Sequence, residues 1–230
     1  KIHGEDLRMI FNPQVIIEKL PELGSGLFVT LLLWIAGIAG GVVIGFLVAT
    51  ARRFGGFATN AVLGSVVEVL RGTPFLIQIF LLYYGGPFVG LMLDPIPCGL
   101  IGLTVYSAAY YSEIFRAGFA AVPVGHVEAA GCLGMTRLQT IRRIQIPEMA
   151  LIVLPPAVNL SVILLKESAV LSIITVPELT ATVSAIGSQQ YAYLEAIFIL
   201  AVVYWALVEL TDRLGRAAEY RLSRLRFSKA

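Results

Sequence analysis

Three pairs of charged side chains stand within apolar stretches of the sequence. Ionisable groups are costly inside a bilayer, so we expect them to neutralise one another or to line a pathway for a polar solute. In two pairs the members are three residues apart, a spacing that places both on one surface of a helix. The pairs are Glu68 with Arg71, Glu113 with Arg116, and the adjacent Lys166 and Glu167.

The pattern leaves two interpretations of these pairs open. Glu113 and Arg116 lie near the end of an apolar segment, where an ion pair can hold neighbouring helices in register. Lys166 and Glu167 point to different faces of a helix, so we expect an inter-helix network or a pathway lining there. Each pair carries no net charge, and the pairs therefore favour neither an acidic nor a basic solute.

Other polar side chains share helix faces with the charged pairs. Gly72 and Pro74 weaken the helix on either side of Thr73, and broken helices at membrane depth are tolerated where they face protein or a water-filled cavity. Two tyrosines on the face of Glu113, and an asparagine on the face of Lys166, indicate either a polar pathway or core residues with satisfied hydrogen bonds. The predicted substrate pathway or gating network is Glu68, Arg71, Thr73, Gln78, Tyr106, Tyr110, Glu113, Asn159, Lys166, Glu167 and Ser168.

No group of side chains in the sequence is typical of a catalytic or metal site. Neither His3 nor His126 has a second ligand at metal-binding spacing. No phosphate-binding loop of the form G-x-x-x-x-G-K-[ST] occurs, and no nucleophile with its base is visible. We therefore expect a chain that is not an enzyme and holds no metal or cofactor. Cys98 and Cys132 fall in connections predicted on opposite faces of the membrane, which excludes a disulfide between them within one chain.

The composition indicates that the elements around these residues lie in lipid. Of 230 residues, 57% are hydrophobic and 14% are charged, whereas soluble domains carry about 25% charged residues. About 20 apolar residues in a helix span the hydrocarbon core, and lipid offers unpaired backbone groups no partner. The sequence therefore predicts an all-α integral membrane protein with five transmembrane helices, at about 24–51, 57–84, 97–121, 150–174 and 193–212.

Lysine and arginine residues are distributed unevenly between the connections, and cytoplasmic loops carry the excess in membrane proteins. The connections 85–97 and 175–192 contain none, so they are predicted to lie outside together with the N-terminus. We expect an N-terminal periplasmic or interfacial segment, 1–23, a transmembrane domain, 24–212, and a basic cytoplasmic tail, 213–230. The chain begins without an initiator methionine or a signal-peptide pattern. The possibility that further helices precede a trimmed N-terminus therefore stays open. The basic side comprises Arg52, Arg53, Arg116, Arg137, Arg142, Arg143, Arg213, Arg216, Arg221, Arg224, Arg226 and Lys229.

Small residues recur on one face of the first predicted span. Gly37, Gly41, Gly45 and Ala49 are each four residues apart. This spacing permits a close approach of helices. The partner is either a helix of the same chain or a second subunit.

The segment 178–190 has helical periodicity although it is too short to span a membrane. Leu179, Val183 and Ile186 would share one apolar face. The pattern predicts an amphipathic helix that lies on the outer membrane surface.

Residues 123–147 form a polar stretch between two apolar segments. Gly134 is expected to end or bend a first short helix, Thr136 to cap a second one, and Pro147 to stop it. Two compact helices, with small residues at positions 129–131, are suited to insertion into a groove of a partner protein. We call residues 123–147 the polar hairpin.

The polar hairpin resembles the signature loop of ATP-binding-cassette (ABC) importer permeases. That loop reads E-A-A, three residues, G, nine residues, I-x-L-P, and Ile146 replaces its leucine here. The chain further resembles the polar amino acid permease family, of the histidine, glutamine, glutamate and arginine type, over nearly its whole length. The resemblance includes "VEVLRGTPFLIQIF", "AAYYSEIFRAGFAAVPVGHVEAAGCLGMT" and "LLKESAVLSIITVPEL". The chain departs from the family pattern at two places. It has His126 where glutamine is usual, and "KESAVLS" where "KDTSLLS" is commoner. The matching loop positions are Glu128, Ala129, Ala130, Gly134, Ile144 and Pro147.

The resemblance implies a type I ABC importer permease fold in the bacterial inner membrane, with the matching loop positions as ATPase-coupling residues. It implies two ATPase subunits that bind ATP and Mg²⁺, a second permease subunit (identical or paralogous), and a periplasmic amino acid-binding protein. The chain would move a polar or charged amino acid into the cytoplasm by alternating access. The alternative is a stand-alone secondary transporter or channel, which predicts an inverted repeat or an intramembrane carboxylate chain. A net charge of +2 is too small to indicate nucleic acid as a partner.

Overall fold

The structure, a computed structural model, describes residues 17–227, with side chains up to residue 222. Within that range the chain forms helices and turns, and no strand occurs there. The predicted terminal segments therefore lie partly outside the described residues, at 1–16 and 228–230. The helices are α1 (Leu20–Phe54), α2 (Phe57–Gly72), α3 (Phe75–Phe80), α4 (Pro95–Ala121), α5 (Val124–Cys132), α6 (Arg137–Thr140), α7 (Ile146–Glu167), α8 (Leu179–Gln189) and α9 (Tyr193–Phe227).

Short segments of other helical types continue some of these helices. A π-helical turn, Leu81–Gly85, and a 3₁₀-helix, Gly86–Val89, follow α3. A second π-helical turn, Ile141–Gln145, joins α6 to α7, and a 3₁₀-helix, Ser168–Ile174, extends α7. Helix α9 continues past the predicted span end at residue 212, so the boundary with the tail falls within one helix and stays a prediction.

Three helical stretches in the described range are long and apolar enough to cross a membrane. They are α1, the continuous stretch Arg137–Ile174, and Tyr193–Leu222 of α9. A fourth span would be formed by α2 together with Phe75–Val89, which are interrupted at residues 73 and 74. The sequence predicts one span over 57–84, and the structure shows the break that Gly72 and Pro74 favour.

The predicted span 97–121 is helical as α4, but α4 is not among the stretches that are apolar enough to cross. Its polar side chains are turned into the protein, since Ser107, Tyr111 and Ser112 are buried. A helix that packs mainly against protein does not need the apolar surface that lipid requires. The count of five transmembrane helices stays a prediction.

The chain divides into two compact units. The first contains Lys1–Gly37 in its described part, Phe75–Leu103 and Leu164–Glu209. Its core forms around the apolar face of α8, because Leu179, Val183 and Ile186 are buried together with Leu23 and Ala196. The predicted amphipathic face is confirmed, and its predicted location on the outer membrane surface stays a prediction. This face packs on the protein's own helices, and burial there removes it from lipid.

The second unit contains Ile38–Pro74, Thr104–Ile163 and the described part of Leu210–Ala230. Phe119, Val122 and Met149 form its core, and Phe46, Phe54, Phe115, Val127 and Ile146 pack against it.

The small-residue face of α1 packs within the same chain. A side chain at Gly41 would collide with Ser107, and one at Gly45 with Tyr111, both on α4. A side chain at Gly37 would collide with that of Leu103, also on α4, and Ala49 is fully buried. Of the two partners that the sequence left open, a helix of the same chain is the one observed.

Candidate functional site

Glu113 lies at the centre of a charged cluster in the second unit. Its carboxylate contacts Arg116 on the same helix at 2.8 Å, Arg52 of α1 at 2.5 Å and Arg71 of α2 at 3.7 Å. The side chain of Glu113 is 19% exposed and that of Arg52 is 12% exposed, so these charges are largely withdrawn from water. We call these four residues the Glu113 cluster.

The cluster confirms one predicted ion pair and corrects another. Glu113 and Arg116 meet as their spacing predicts, through hydrogen bonds from Nε and Nη2. Arg71 does not pair with Glu68; it reaches Glu113, and its guanidinium lies 5.3 Å from the ring centre of Tyr110. An arginine side chain is long enough to leave its helical neighbour when another helix offers a carboxylate that is better shielded from water.

Arg52 is a member of this cluster that the sequence does not reveal. Its position predicts only that it marks the cytoplasmic side, because 61 residues separate it from Glu113. No spacing rule connects residues on different helices at that separation. Only the packing of α1 against α4 shows the contact.

The Glu113 cluster borders an open cavity of about 470 Å³. Glu68 and Arg71 both reach it, and Glu68 makes no ion pair or hydrogen bond with the described residues. The cavity therefore presents a guanidinium and a carboxylate that are not neutralised by each other. Its lining is Arg52, Gly64, Val67, Glu68, Arg71, Gly72 and Glu113.

The predicted tyrosines connect this cavity to the end of α2. The hydroxyl of Tyr106 donates to that of Tyr110 at 3.4 Å, and Tyr110 donates to the backbone carbonyl of Arg71, also at 3.4 Å. Helix ends leave carbonyls without a partner in the helix, and Tyr110 satisfies one here. Thr73, at the break, donates to the carbonyl of Val69 at 3.0 Å.

The remaining predicted pathway residues lie in different surroundings. In the first unit Lys166 is exposed and Gln78 and Glu167 are half-buried. Ser168 is buried, and its hydroxyl donates to the carbonyl of Leu165 at 2.7 Å. Asn159, in the second unit, is exposed. The structure thus brings Glu68, Arg71, Tyr106, Tyr110 and Glu113 together in the second unit, whereas Gln78, Lys166, Glu167 and Ser168 belong to the first.

The polar hairpin forms two short helices, α5 and α6. Gly134 between them has φ of +70°, a conformation that glycine adopts without strain. Thr136 and Gln139 form a capping box at the start of α6, in which each side chain bonds the other's backbone amide. Glu128, Ala129 and Gly131 are exposed on α5, whereas Ala130 is buried. The predicted bend and cap are confirmed.

Pro147 does not stop the second helix, and that prediction is wrong. The chain continues from the π-helical turn Ile141–Gln145 directly into α7. Proline lacks an amide hydrogen, and its ring clashes with the carbonyl four residues earlier. The wider π-helical turn just before Pro147 relieves that clash, as such turns do in membrane helices.

A hydrogen bond holds α5 to the start of α7. Nδ1 of His126 lies 2.7 and 2.9 Å from the two carboxylate oxygens of Glu148. The sequence marked His126 only as a departure from the family pattern. Its partner, 22 residues away, could not be found by spacing.

Glu178 is a buried carboxylate that the sequence pattern did not single out. It precedes α8 and accepts hydrogen bonds from the backbone amides of Thr180, at 2.9 Å, and Ala181, at 2.7 Å. The hydroxyl of Tyr204 donates to it at 3.3 Å. Burial raises the pKa of Glu178, and the bonds from the two amides oppose that shift. An acidic residue just before a helical period was the available signal.

Metal-ligating side chains do not cluster among the described residues. No group of three or more histidine, cysteine, aspartate or glutamate side chains there could hold a metal ion. Cys98 is buried and Cys132 is exposed, and both are free thiols.

Comparisons with known proteins give consistent matches over most of the chain. Residues 41–224 match the family described as binding-protein-dependent transport system inner membrane component. The chain is 35% identical to the probable amino-acid ABC transporter permease protein YckA of Bacillus subtilis (strain 168), over 86% of this chain and 88% of that protein. It is 33% identical to the glutamine transport system permease protein GlnP of Escherichia coli (strain K12), over 93% of this chain and 99% of that protein.

Solved structures have the same fold. A structure described as a crystal structure of an amino acid ABC transporter with histidines matches with a TM-score of 0.84 and 34% identity. The match covers 90% of this chain and 96% of that one. The MetNI methionine ABC transporter in an inward-facing conformation matches with a TM-score of 0.72 and 22% identity, over 89% of this chain and 98% of that one. At that identity the likeness concerns the fold alone.

Proposed function

The chain belongs to the family of binding-protein-dependent transport system inner membrane components, and we propose that it carries a polar or charged amino acid from the periplasm to the cytoplasm by alternating access. It is a non-catalytic membrane subunit of an amino-acid ABC importer, as its relatives are. The proposal concerns its solute, its partners and the way in which it is driven.

The exposed face of α5 in the polar hairpin is the observation that carries the proposal. Glu128 and Ala129 project from a helix whose position is fixed by the capped turn before α6 and by the bond from His126 to Glu148. A rigid exposed helix can transmit a push, whereas a flexible loop would absorb it. The coupling residues are Glu128, Ala129, Ala130, Gly134, Ile144 and Pro147.

The motor belongs to the partners in this proposal. Two ATPase subunits receive the polar hairpin of each permease and hold ATP and Mg²⁺, and a second permease and a periplasmic binding protein complete the complex. The basic ends of the helices then lie in the cytoplasm and the N-terminus lies outside, in the inner membrane. Closure of the ATPases moves the hairpins, and the attached helices open the pathway on alternate sides.

The Glu113 cluster suits the gating part of this cycle. One carboxylate is shared by guanidinium groups from α1, α2 and α4. A shift of one helix would change which arginine is paired and which is free, and such an exchange of ion pairs would accompany gating in this proposal. The adjoining cavity presents both signs of charge, as the ammonium and carboxylate of an amino acid require. Relatives described as permeases for glutamine, L-cystine and arginine are consistent with a solute of this class.

Reversal of the charge at Glu128 tests the coupling. Glu128→Arg in the complete complex should leave the protein in the membrane while uptake falls at least about tenfold and ATP hydrolysis continues. Uptake of labelled amino acids and phosphate release are measured in the same proteoliposomes. Glu219→Arg, a charge reversal on α9, is the matched control and should retain uptake.

The same assay separates the proposal from a stand-alone transporter. Unchanged uptake after deletion of the ATPase subunits would reject the importer proposal and favour a secondary transporter or channel. Equal uptake by the Glu128→Arg and Glu219→Arg variants would reject the role of α5.

A further inference from the structure

A separate cavity of about 320 Å³ lies between α1 and the inner side of the polar hairpin, within the second unit. We call it the hairpin cavity. None of the residues that line it is acidic. The lining includes Arg53, Phe54, Val127, Arg137, Thr140 and Gln145.

Gln145 is a buried polar side chain without a complete set of partners. The residue is 6% exposed, and its Oε1 accepts no hydrogen bond from the described residues. Buried amide oxygens in proteins nearly always have a donor. An oxygen without one, in the wall of a cavity, indicates a ligand that brings a hydrogen-bond donor.

The cavity also holds positive charge that no side chain neutralises. Arg53 makes no ion pair or side-chain hydrogen bond with the described residues. The guanidinium of Arg137 lies 5.0 Å from the ring centre of Phe54 and likewise has no ion pair in that range. Two arginines without a carboxylate favour an anionic group, and guanidinium forks match phosphate oxygens.

The position of the cavity along the helices favours a ligand from the membrane. Arg53 and Phe54 are the last residues of α1, and Gln145 immediately precedes α7; both helices belong to stretches that can span a membrane. Where spanning helices leave the membrane on the cytoplasmic side, basic pockets bind lipid headgroups. We propose that the hairpin cavity binds a phosphate ester that also carries a hydrogen-bond donor, the chemistry of an ethanolamine or glycerol phospholipid headgroup.

The geometry favours this ligand over a segment of the ATPase. The cavity is lined by Val127, on the half-buried face of α5, whereas Glu128 and Ala129 are exposed on another face. The proposed ATPase contact therefore leaves the cavity accessible to lipid. The inference rests on the proposed function only for the cytoplasmic location of the polar hairpin.

Lipid selectivity tests the proposal, because two lipids of equal charge differ in the donor. Phosphatidylethanolamine carries an ammonium with hydrogens, and the quaternary ammonium of phosphatidylcholine has none. The complete complex is reconstituted in vesicles of the two lipids, extracted, and its retained lipid is counted by native mass spectrometry. We expect about tenfold preferential retention of phosphatidylethanolamine, since a site built for a donor discriminates against a ligand that lacks it.

Variants of the cavity separate the contribution of the headgroup's hydrogen-bond donor from that of its negative charge. Gln145→Leu should abolish the preference between the two lipids, and Arg53→Gln should reduce retention of both by about tenfold. Arg142→Gln, an exposed arginine of the same hairpin outside the cavity lining, is the control and should change neither. Competition with soluble phosphoethanolamine identifies the source: binding of the soluble ester without lipid retention supports the site with a soluble ligand.

Some outcomes would overturn the proposal. The first is equal retention of the two lipids by the unaltered complex. The second is an equal loss of lipid retention in Arg53→Gln and Arg142→Gln. The third is lipid selectivity that is absent from the complete complex and is seen only after the ATPase subunits are removed. Uptake is measured on the same samples. A complex that shows the selectivity but imports no amino acid would reject the proposed function and keep the lipid site.

Discussion

Glu113 and Glu178 are carboxylates withdrawn from water in two different units, and they are stabilised by different groups. Glu113 is held by the guanidinium groups of three arginines that belong to three helices. Glu178 is fully buried, and the groups that bond it are backbone amides at the start of α8 and the hydroxyls of Tyr204 and Thr30.

The difference shows which contacts depend on the placement of separate helices. The bonds to Glu178 come mostly from the first turn of the helix that it precedes, so they persist wherever that helix moves. Two of the three ion pairs of Glu113 join it to arginines of other helices, so they depend on how those helices are placed. The Glu113 cluster is therefore suited to a moving part, and Glu178 to keeping α8 intact as a rigid element.

Removal of the Glu113 carboxylate should have the largest effect. Glu113→Ala leaves three guanidinium groups without their shared anion, which should lower the free energy of unfolding by about 3 kcal/mol. The midpoint of thermal unfolding of the purified complex measures this. Glu68→Ala removes a carboxylate from the same cavity but breaks no ion pair, and it should cost less than about 1 kcal/mol.

A double variant sharpens this prediction. Arg52→Leu combined with Glu113→Leu removes a buried pair together, so it should be less destabilised than the sum of its single variants. If the effects of the single variants simply add, the two residues are not coupled and the cluster does not act as a unit.

Removal of the Glu178 carboxylate should have a smaller effect. Glu178→Ala takes the cap from α8 and leaves two amides without their bonds, which should cost about 2 kcal/mol. Hydrogen exchange at Thr180 and Ala181 should rise selectively. Glu178→Gln keeps one acceptor and should recover about half of the loss; protection that is unchanged in Glu178→Ala would contradict the capping role.

The dependence of stability on pH should show the smallest difference between the two regions. Burial raises the pKa of Glu178 above its ordinary value of 4.5, so the folded state binds this proton more tightly than the unfolded state. The stability of the unaltered protein relative to Glu178→Gln should therefore be highest below pH 4.5 and fall as the pH rises through the raised pKa. Denaturant unfolding of both proteins over this range measures it. A relative stability that rises with pH would contradict the predicted direction of this dependence.

Local features of the site could be predicted from the sequence, and non-local ones could not. The bend at Gly134, the cap at Thr136 and the ion pair of Glu113 with Arg116 each involve residues within three positions of one another. The prediction that Pro147 stops a helix is wrong because a π-helical turn, which has no sequence signature, precedes it.

The sequence by itself determined that the chain is helical, apolar enough for a membrane and equipped with the polar hairpin of a transport family. Periodicity, composition and capping chemistry act over one or two helical turns, so they are legible in the chain. The tertiary structure decided that Arg52 and Arg71 meet at Glu113, that His126 bonds Glu148, and that the apolar face of α8 is covered by protein. These contacts join residues from 22 to 61 positions apart, or whole helices. The packing of helices selects them, because many side chains of suitable type compete for each partner.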